Sequence, residues 1–490
     1  MDLAIDTTTQ RLAFHARSQP DVRAITNGVT DCSYRSLAIH VVQMVDALAV
    51  LGIRRGQVVG VEASDRFLHL LLLLACEAMG AATMSLTSFE FARPMDMGRF
   101  CDHILAMQTP AGADADKIFI LTQDWLTQVL RAPVTDDRFD ALMQPPAPDS
   151  LVRLIKSSGT TGMPKVMGTT YRAQQNMLRN SLWIAGDHLR SRADYLCLYH
   201  FSVRGCHTRA ILMLQMGGTI HLAAMENVRE MIMAGTVNYA VFLPGDLDRF
   251  VRTAGLEGGP FPLQVDVIGG AVSPALRARA AMSLTGRIMV TYGSNEMQYV
   301  SVTGADEVGR LVPGVQVMIV DDRGQTVPMG ETGRIRTRSD TMTDGYLDAP
   351  ALTAATFVGG WYNSNDLGFQ PSPETLVVVG RADGMLNVGG VKIPPGPVED
   401  QIRTIDGVLD AMVTNVVNAR GLEVLLVAVE TGSGGDVQGL EAAINPIIQL
   451  YASRYFLLPL PVFPRTETGK IRQEAIRAAY AAVRDRVSRI

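Results

Sequence analysis

The stretch Leu154–Tyr171 reads LIKSSGTTGMPKVMGTTY, and the rest of the 490-residue chain is read outward from it. An apolar run (Leu151, Val152, Leu154, Ile155) leads into a segment made almost wholly of Ser, Thr, Gly and Lys. Ser157, Ser158, Thr160 and Thr161 supply hydroxyls, while Gly159 and Gly162 let the backbone turn and come close to a ligand. Lys165 adds a cation, and Met163-Pro164 restricts the loop just before it. Many donors, little bulk and one positive charge are what a polyphosphate needs. The Walker pattern GxxxxGK[ST] does not fit, because Val166 follows Lys165, and GxGxxG is not present in the stretch either. A Ser/Thr-rich surface loop would have the same composition, so the reading needs support elsewhere in the chain.

Four further stretches bear on it. Thr291-Tyr292-Gly293-Ser294-Asn295-Glu296 follows an apolar strand. A tyrosine at a strand end can stack on a nucleobase, and a glutamate four residues later can hold Mg2+ through one carboxylate. A core tyrosine and a surface glutamate would look the same. In Gly360–Gly368, GWYNSNDLG, the two oxygens of Asp366 suit a vicinal diol, or cap a turn. Gly380–Ile393, GRADGMLNVGGVKI, begins as a polar joint and ends in a glycine pair that a plain hairpin would also use. Pro464–Arg472, PRTETGKIR, puts Lys470 on a glycine-hinged loop, able to swing onto a forming bond or to sit in solvent.

Together and in this order, the five stretches resemble the adenylate-forming superfamily, which includes acyl-CoA synthetases, luciferases and the adenylation domains of peptide synthetases. Leu154–Tyr171 is similar to its STG-TTG-xPK phosphate loop, and Thr291–Glu296 to YG-x-TE with Asn295 in place of threonine. Gly360–Gly368 is similar to GW-x-x-TGD with Ser364-Asn365 in place of Thr-Gly. Gly380–Ile393 resembles the hinge of acetyl-CoA-synthetase-type members, and Pro464–Arg472 resembles PRT-x-x-GK-I. Val166 stands where glycine is preferred, and Pro397 where a glutamate is often found. The likeness runs from Leu154 to Arg472 and is loose over the first 150 residues.

The resemblance implies an enzyme of the AMP-forming acid–thiol ligase type. With ATP and Mg2+ it would activate a small-molecule acid as acyl-AMP, release pyrophosphate, and pass the acyl group to a thiol of CoA or of a carrier protein; a divergent member would instead pass the adenylate to an amine or activate an unusual oxyanion. By that likeness Ser157, Ser158, Gly159, Thr160, Thr161, Gly162 and Lys165 cradle the β- and γ-phosphates, and Glu296 holds the metal. Gly270, Ala271 and Tyr292 flank adenine, with Gly293, Ser294 and Asn295 beside them. Asp366 and Arg381 grip ribose, Lys392 is a phosphate-binding cation, and Lys470 bridges the reacting oxygens. Asp383 would be a pivot that withdraws Lys470 and brings Gly389-Gly390 to the site for thiol transfer. The knot His200–His207 (HFSVRGCH) falls where members of the superfamily place acyl-pocket residues. It offers Ser202, Arg204 and His207 but no aspartate, which favours a small polar or anionic acid unless Arg204 merely pairs with a nearby acid.

Composition sets the frame. Apolar residues are 47% and charged residues 19% of the chain, and mean hydropathy is +0.14, as for a globular protein of two or three domains. A net charge of −5 recruits neither nucleic acid nor an anionic membrane. The five cysteines are odd in number and lack CxxC spacing, and no leader pattern opens the chain, so a reducing cytoplasm is expected. The apolar run Phe67–Leu86 contains His69 and Glu77 and is cut by Gly80, which predicts a buried helix and a strand rather than a membrane span.

Gln57–Val61, Leu68–Met79 and Ala81–Met84 read as strand, helix, strand, a βαβ unit. Further buried strands are expected at Tyr239–Leu243, Gln264–Ile268 and Ile288–Val290, and antiparallel ones from Val312 to Val379. The predicted fold is α/β: a large N-terminal body (1–381) of parallel-rich sheets flanked by helices plus a small β-barrel-like subdomain, then a small mobile α+β C-terminal domain (382–490).

Overall fold

The first βαβ unit forms as expected. Strand Val58–Glu62, helix Arg66–Met79 and strand Ala82–Ser85 follow one another, and the two strands pair in parallel. Asp65 starts the helix by accepting from Leu68 N at 2.7 Å, and Gly80 ends it at φ +72°, a conformation that favours glycine. Every residue from Leu68 to Ala78 is buried, which explains the unbroken apolar run. In this computed structural model the described residues are 7–91, 96–110, 112–144, 146–157, 164–186, 193–272, 274–304, 308–382, 384, 386–388, 391–393, 395–417, 423–432, 437–449, 455–466 and 470–487.

Two sheets organise the body. The smaller runs, in spatial order, Ile118–Ile120, His103–Ala106, Val58–Glu62, Ala82–Ser85, Leu151–Ser157 and Lys165–Thr170. All its pairings are parallel except the last, the hairpin that bears the phosphate-loop motif. In the larger sheet, strands Arg23–Thr26, Thr219–Leu222, Asp194–Cys197, Tyr239–Phe242, Gln264–Val267 and Arg287–Ser294 run parallel side by side. Beyond Arg287–Ser294 it turns antiparallel through Gln298–Thr303, Gly309–Leu311, Thr375–Arg381, Trp361–Phe369, Gly333–Arg338 and Gln316–Val320. The region expected to be barrel-like is thus an antiparallel continuation of the large sheet, and no closed barrel forms among the described residues. At its other end the sheet stops on Asp31–Ser33, three residues long.

Helices Tyr34–Val50, Arg66–Met79 and Arg204–Met216 share one apolar core with strands of both sheets. Arg209 is tied into the large sheet. It pairs with Asp266 at 2.9 Å, both side chains wholly buried, and it also donates to Tyr299.

The C-terminal segment has its own core. Strands Asp410–Val417, Glu423–Glu430 and Tyr455–Leu460 form a three-stranded sheet. Leu425, Val427 and Val429 face helices Pro395–Ile402 and Val437–Ile448, while Leu426 and Ala428 face helix Gln473–Val487. A central strand covered on both sides needs apolar residues at every position, which is why Glu423–Glu430 reads as a continuous apolar run. Among the described residues, no helix is long and apolar enough to cross a membrane.

Candidate active site

Because the central strands of the large sheet are parallel, the segments that follow them leave from one edge. These are the knot after Asp194–Cys197, Gly269-Gly270-Ala271 after Gln264–Val267, and the turn after Arg287–Ser294. The edge beyond the carboxyl ends of parallel strands is where open α/β sheets bind ligands. Gly270 and Ala271 are exposed there, and a Cβ on Gly270 would stand 3.1 Å from Pro244 Cγ.

The phosphate-loop motif is the connection of a hairpin. Leu151–Ser157 pairs with Lys165–Thr170 so that Ser157 lies opposite Lys165. The hairpin register therefore anchors both ends of the loop. Ser158, Gly159, Thr160, Thr161 and Gly162 lie outside the described residues.

Lys165 Nζ stands 5.1 Å from the ring centroid of Tyr346, a cation–π distance. Tyr346 donates its hydroxyl to Glu296 Oε1 at 2.8 Å. Glu296 sits in the tight turn 295–297 and is only 6% exposed. Burial and then the charge of Glu296 raise the phenols of both Tyr346 and Tyr362. Tyr362 also feels Asp366, which accepts the Tyr292 hydroxyl at 2.6 Å and lies opposite Arg381 in the sheet. Burial and Asp366 likewise raise Tyr292. Through Tyr346 and Tyr362, then, Lys165, Glu296, Tyr292, Asp366 and Arg381, far apart in the chain, fall in one neighbourhood. A buried carboxylate beside a lysine and a strand-end loop fits a hard cation that shares its oxygens with phosphates.

Gly293 sets the turn that carries Glu296. It sits at a shift of register between Arg287–Ser294 and Gln298–Thr303, and a Cβ there would lie 1.7 Å from Gln298 O. Ser294 Oγ accepts from Met297 N at 3.2 Å. Asn295 Nδ2 donates to Lys156 O at 3.0 Å, and Arg204 donates to Asn295 O. The Glu296 turn is thereby tied both to the phosphate hairpin and to the knot.

Some expectations are modified. Tyr292 is inside strand Arg287–Ser294, not at its end, and its hydroxyl is engaged by Asp366. Arg204 makes no ion pair with a carboxylate among the described residues; it donates to Asn295 O, Thr169 Oγ1 and Met177 Sδ. Lys470 is exposed, and its described hydrogen bonds go only to Thr466. Lys392 is on strand Val391–Ile393 opposite Asn387, with its side chain outside what is described. Asp383, Gly389 and Gly390 also lie outside the described residues.

Sequence reasoning missed Tyr346, the link between Lys165 and Glu296, because DGYLD matches no motif and its partners are remote in sequence. It missed Arg153 as well, hidden within an apolar strand, where a charge in a buried run was the available signal. The pair Lys156–Glu90 was likewise not anticipated.

A hydroxyl-rich hairpin loop on the smaller sheet, with a buried acid and an aspartate from the larger one brought near it through Tyr346 and Tyr362, is the framework of a nucleotide-using ligase of the adenylate-forming type. The chain belongs to the AMP-binding enzyme family, whose model matches residues 12–347. It is 27% identical to a salicylyl-CoA synthase / salicylate adenylyltransferase of a Streptomyces species, over 97% of this chain and 94% of that one. Its fold resembles an anthranilate CoA ligase, AuaEII, solved with anthranoyl-AMP: TM-score 0.80, 19% identity, 98% of this chain and 99% of that one. It also resembles the amide bond synthetase McbA from Marinactinospora thermotolerans, with TM-score 0.76 and 20% identity over 96% of this chain and 99% of that one.

Proposed function

We propose that the protein activates a small polar or anionic organic acid with ATP, forming acyl-AMP and pyrophosphate, and then passes the acyl group to a thiol of CoA or of carrier-protein phosphopantetheine. The observation that carries this reading is the convergence of Lys165, Glu296, Tyr292 and Asp366. Attack of a carboxylate on the α-phosphorus brings two anions together, so cations and donors must be fixed beforehand. In this reading Ser157–Gly162 and Lys165 hold the β- and γ-phosphates. Gly270, Ala271 and Tyr292 border adenine, with Gly293, Ser294 and Asn295 shaping the turn beside it, and Asp366 and Arg381 hold ribose. Glu296 would hold Mg2+, which would supply neutralisation of charge on the phosphate oxygens. Lys470 is supplied by the C-terminal domain (382–490), which turns about Asp383 and carries Lys392 with it. The exposure of Lys470 is consistent with a residue that approaches in only one of the domain's positions.

A second reading, transfer to an amine, draws support from Pro397, which lies in helix Pro395–Ile402 at the position where the superfamily often carries a glutamate. Asn295 and Asn365 depart from the usual pattern too. Pyrophosphate release across a broad acid panel tests the first half-reaction, and AMP formation with CoA or with amines then separates the acceptors. An absence of acid-dependent pyrophosphate release would end both readings.

A further inference from the structure

Next to the Lys165–Glu296 neighbourhood is a small cavity of about 20 Å3, bordered by Ser85, Arg153, Lys156, Ser202 and Arg204 together with the apolar Leu154 and Ile155. Arg153 is 5% exposed; its Nη2 donates to Ser85 Oγ at 2.7 Å and to Phe201 O at 2.8 Å, whereas its buried Nη1 has no partner among the described residues. The buried Nε of Arg204 has none there either, although both its terminal nitrogens are engaged. Lys156 is answered by Glu90. Neither guanidinium forms an ion pair with a carboxylate among the described residues; Glu296 attracts Arg204 only through space and is itself held by Tyr346. The three histidines around the cavity, His69, His200 and His207, are all kept below the usual imidazole range, chiefly by burial, so they are neutral at pH 7. Burial lowers Arg153 to about 10 and Arg204 to about 9, and the charge of Arg153 adds to the second shift. Two buried cations that repel one another are costly unless an anion is received between them.

Resting on the adenylation reading above, we propose that the acid activated here is a compact diacid, one carboxylate being activated while the other is received between Arg153 and Arg204. The cavity has room for about one water-sized group, enough for one carboxylate oxygen with the remainder of the acid outside it. It opens toward Ser202, which is exposed, and is bounded by Lys156, one residue before the phosphate-loop serine. On this proposal a short spacer separates the two carboxylates. Charge-assisted hydrogen bonds to buried guanidinium groups correspond to roughly ten- to hundredfold in affinity.

The test is pyrophosphate release with matched acids: succinate against butyrate, and phthalate against benzoate. The unsubstituted protein is expected to favour the dianion of a pair by about tenfold or more in kcat/KM. Arg204→Met is expected to erase that ratio, and Arg204→Lys to retain part of it, with folding checked by circular dichroism. A wild-type preference for the monoacids overturns the proposal, as does a folded Arg204→Met that keeps the full ratio. Should Arg204→Met fail to fold, the wild-type ratios and Arg204→Lys decide. Release from monoacids alone removes the second carboxylate but leaves adenylation standing, whereas no release with any acid removes both.

Discussion

The Tyr346 hydroxyl links a residue outside every recognised motif to the buried carboxylate of Glu296. Tyr346→Phe removes a hydrogen bond to a charged group, about 1.5–3 kcal/mol. If Glu296 holds the metal, pyrophosphate exchange should fall roughly ten- to hundredfold, with a higher Mg2+ requirement. Glu296→Gln should raise that requirement further, and an unchanged Mg2+ titration in both variants would take the metal role away from this carboxylate. The motif residues that the fold brings together (Lys165, Tyr292, Glu296, Asp366) were legible as candidates because side-chain chemistry and spacing sit together in the chain. Tyr346 acts through Glu296 and Lys165, and Arg153 through Ser85 and Phe201, all remote in the chain, and a local window carries no trace of such partners.

Among elements, the hairpin Arg287–Ser294/Gln298–Thr303 depends on Gly293. A methyl group would meet Gln298 O at 1.7 Å, so Gly293→Ala should cost more than about 2 kcal/mol in a urea melt; an unaltered midpoint would show that the turn relaxes freely. Glu77, on helix Arg66–Met79, accepts from Thr8 N at 2.6 Å and Thr9 N at 3.4 Å, so it holds the start of helix Thr8–Ser18. Burial pushes its carboxyl up to about 7, against the pull of those two amides. A carboxyl raised on folding stabilises fully below its unfolded value, near 4.5, and that contribution is lost as pH climbs through 7. Glu77→Gln should therefore gain on the wild type between pH 5 and 8, by up to about 3 kcal/mol, read from paired denaturation curves. Parallel strands such as Tyr239–Phe242 were legible as short apolar runs, since both of their faces are covered. The region 87–149 was not, because its strands are three or four residues long and its remaining elements are mostly 3-10 turns without periodicity.

At the scale of the whole molecule, the C-terminal sheet is covered on both faces by its own helices, and the exposed Lys470 adds little to its packing. Lys470→Ala should leave the thermal midpoint in place while adenylation drops by about a hundredfold or more; undiminished ATP–pyrophosphate exchange would assign the bridging role elsewhere. The large sheet has a further consequence at its far end. Its final strand, Asp31–Ser33, offers an approaching molecule only three residues of open backbone, with Asp31 and Arg23 paired at 2.7 Å across the rim. A charged stub of that length is a poor template for strand addition, so crowded copies of this protein have little to grip at that border and should resist filament growth there even at high concentration.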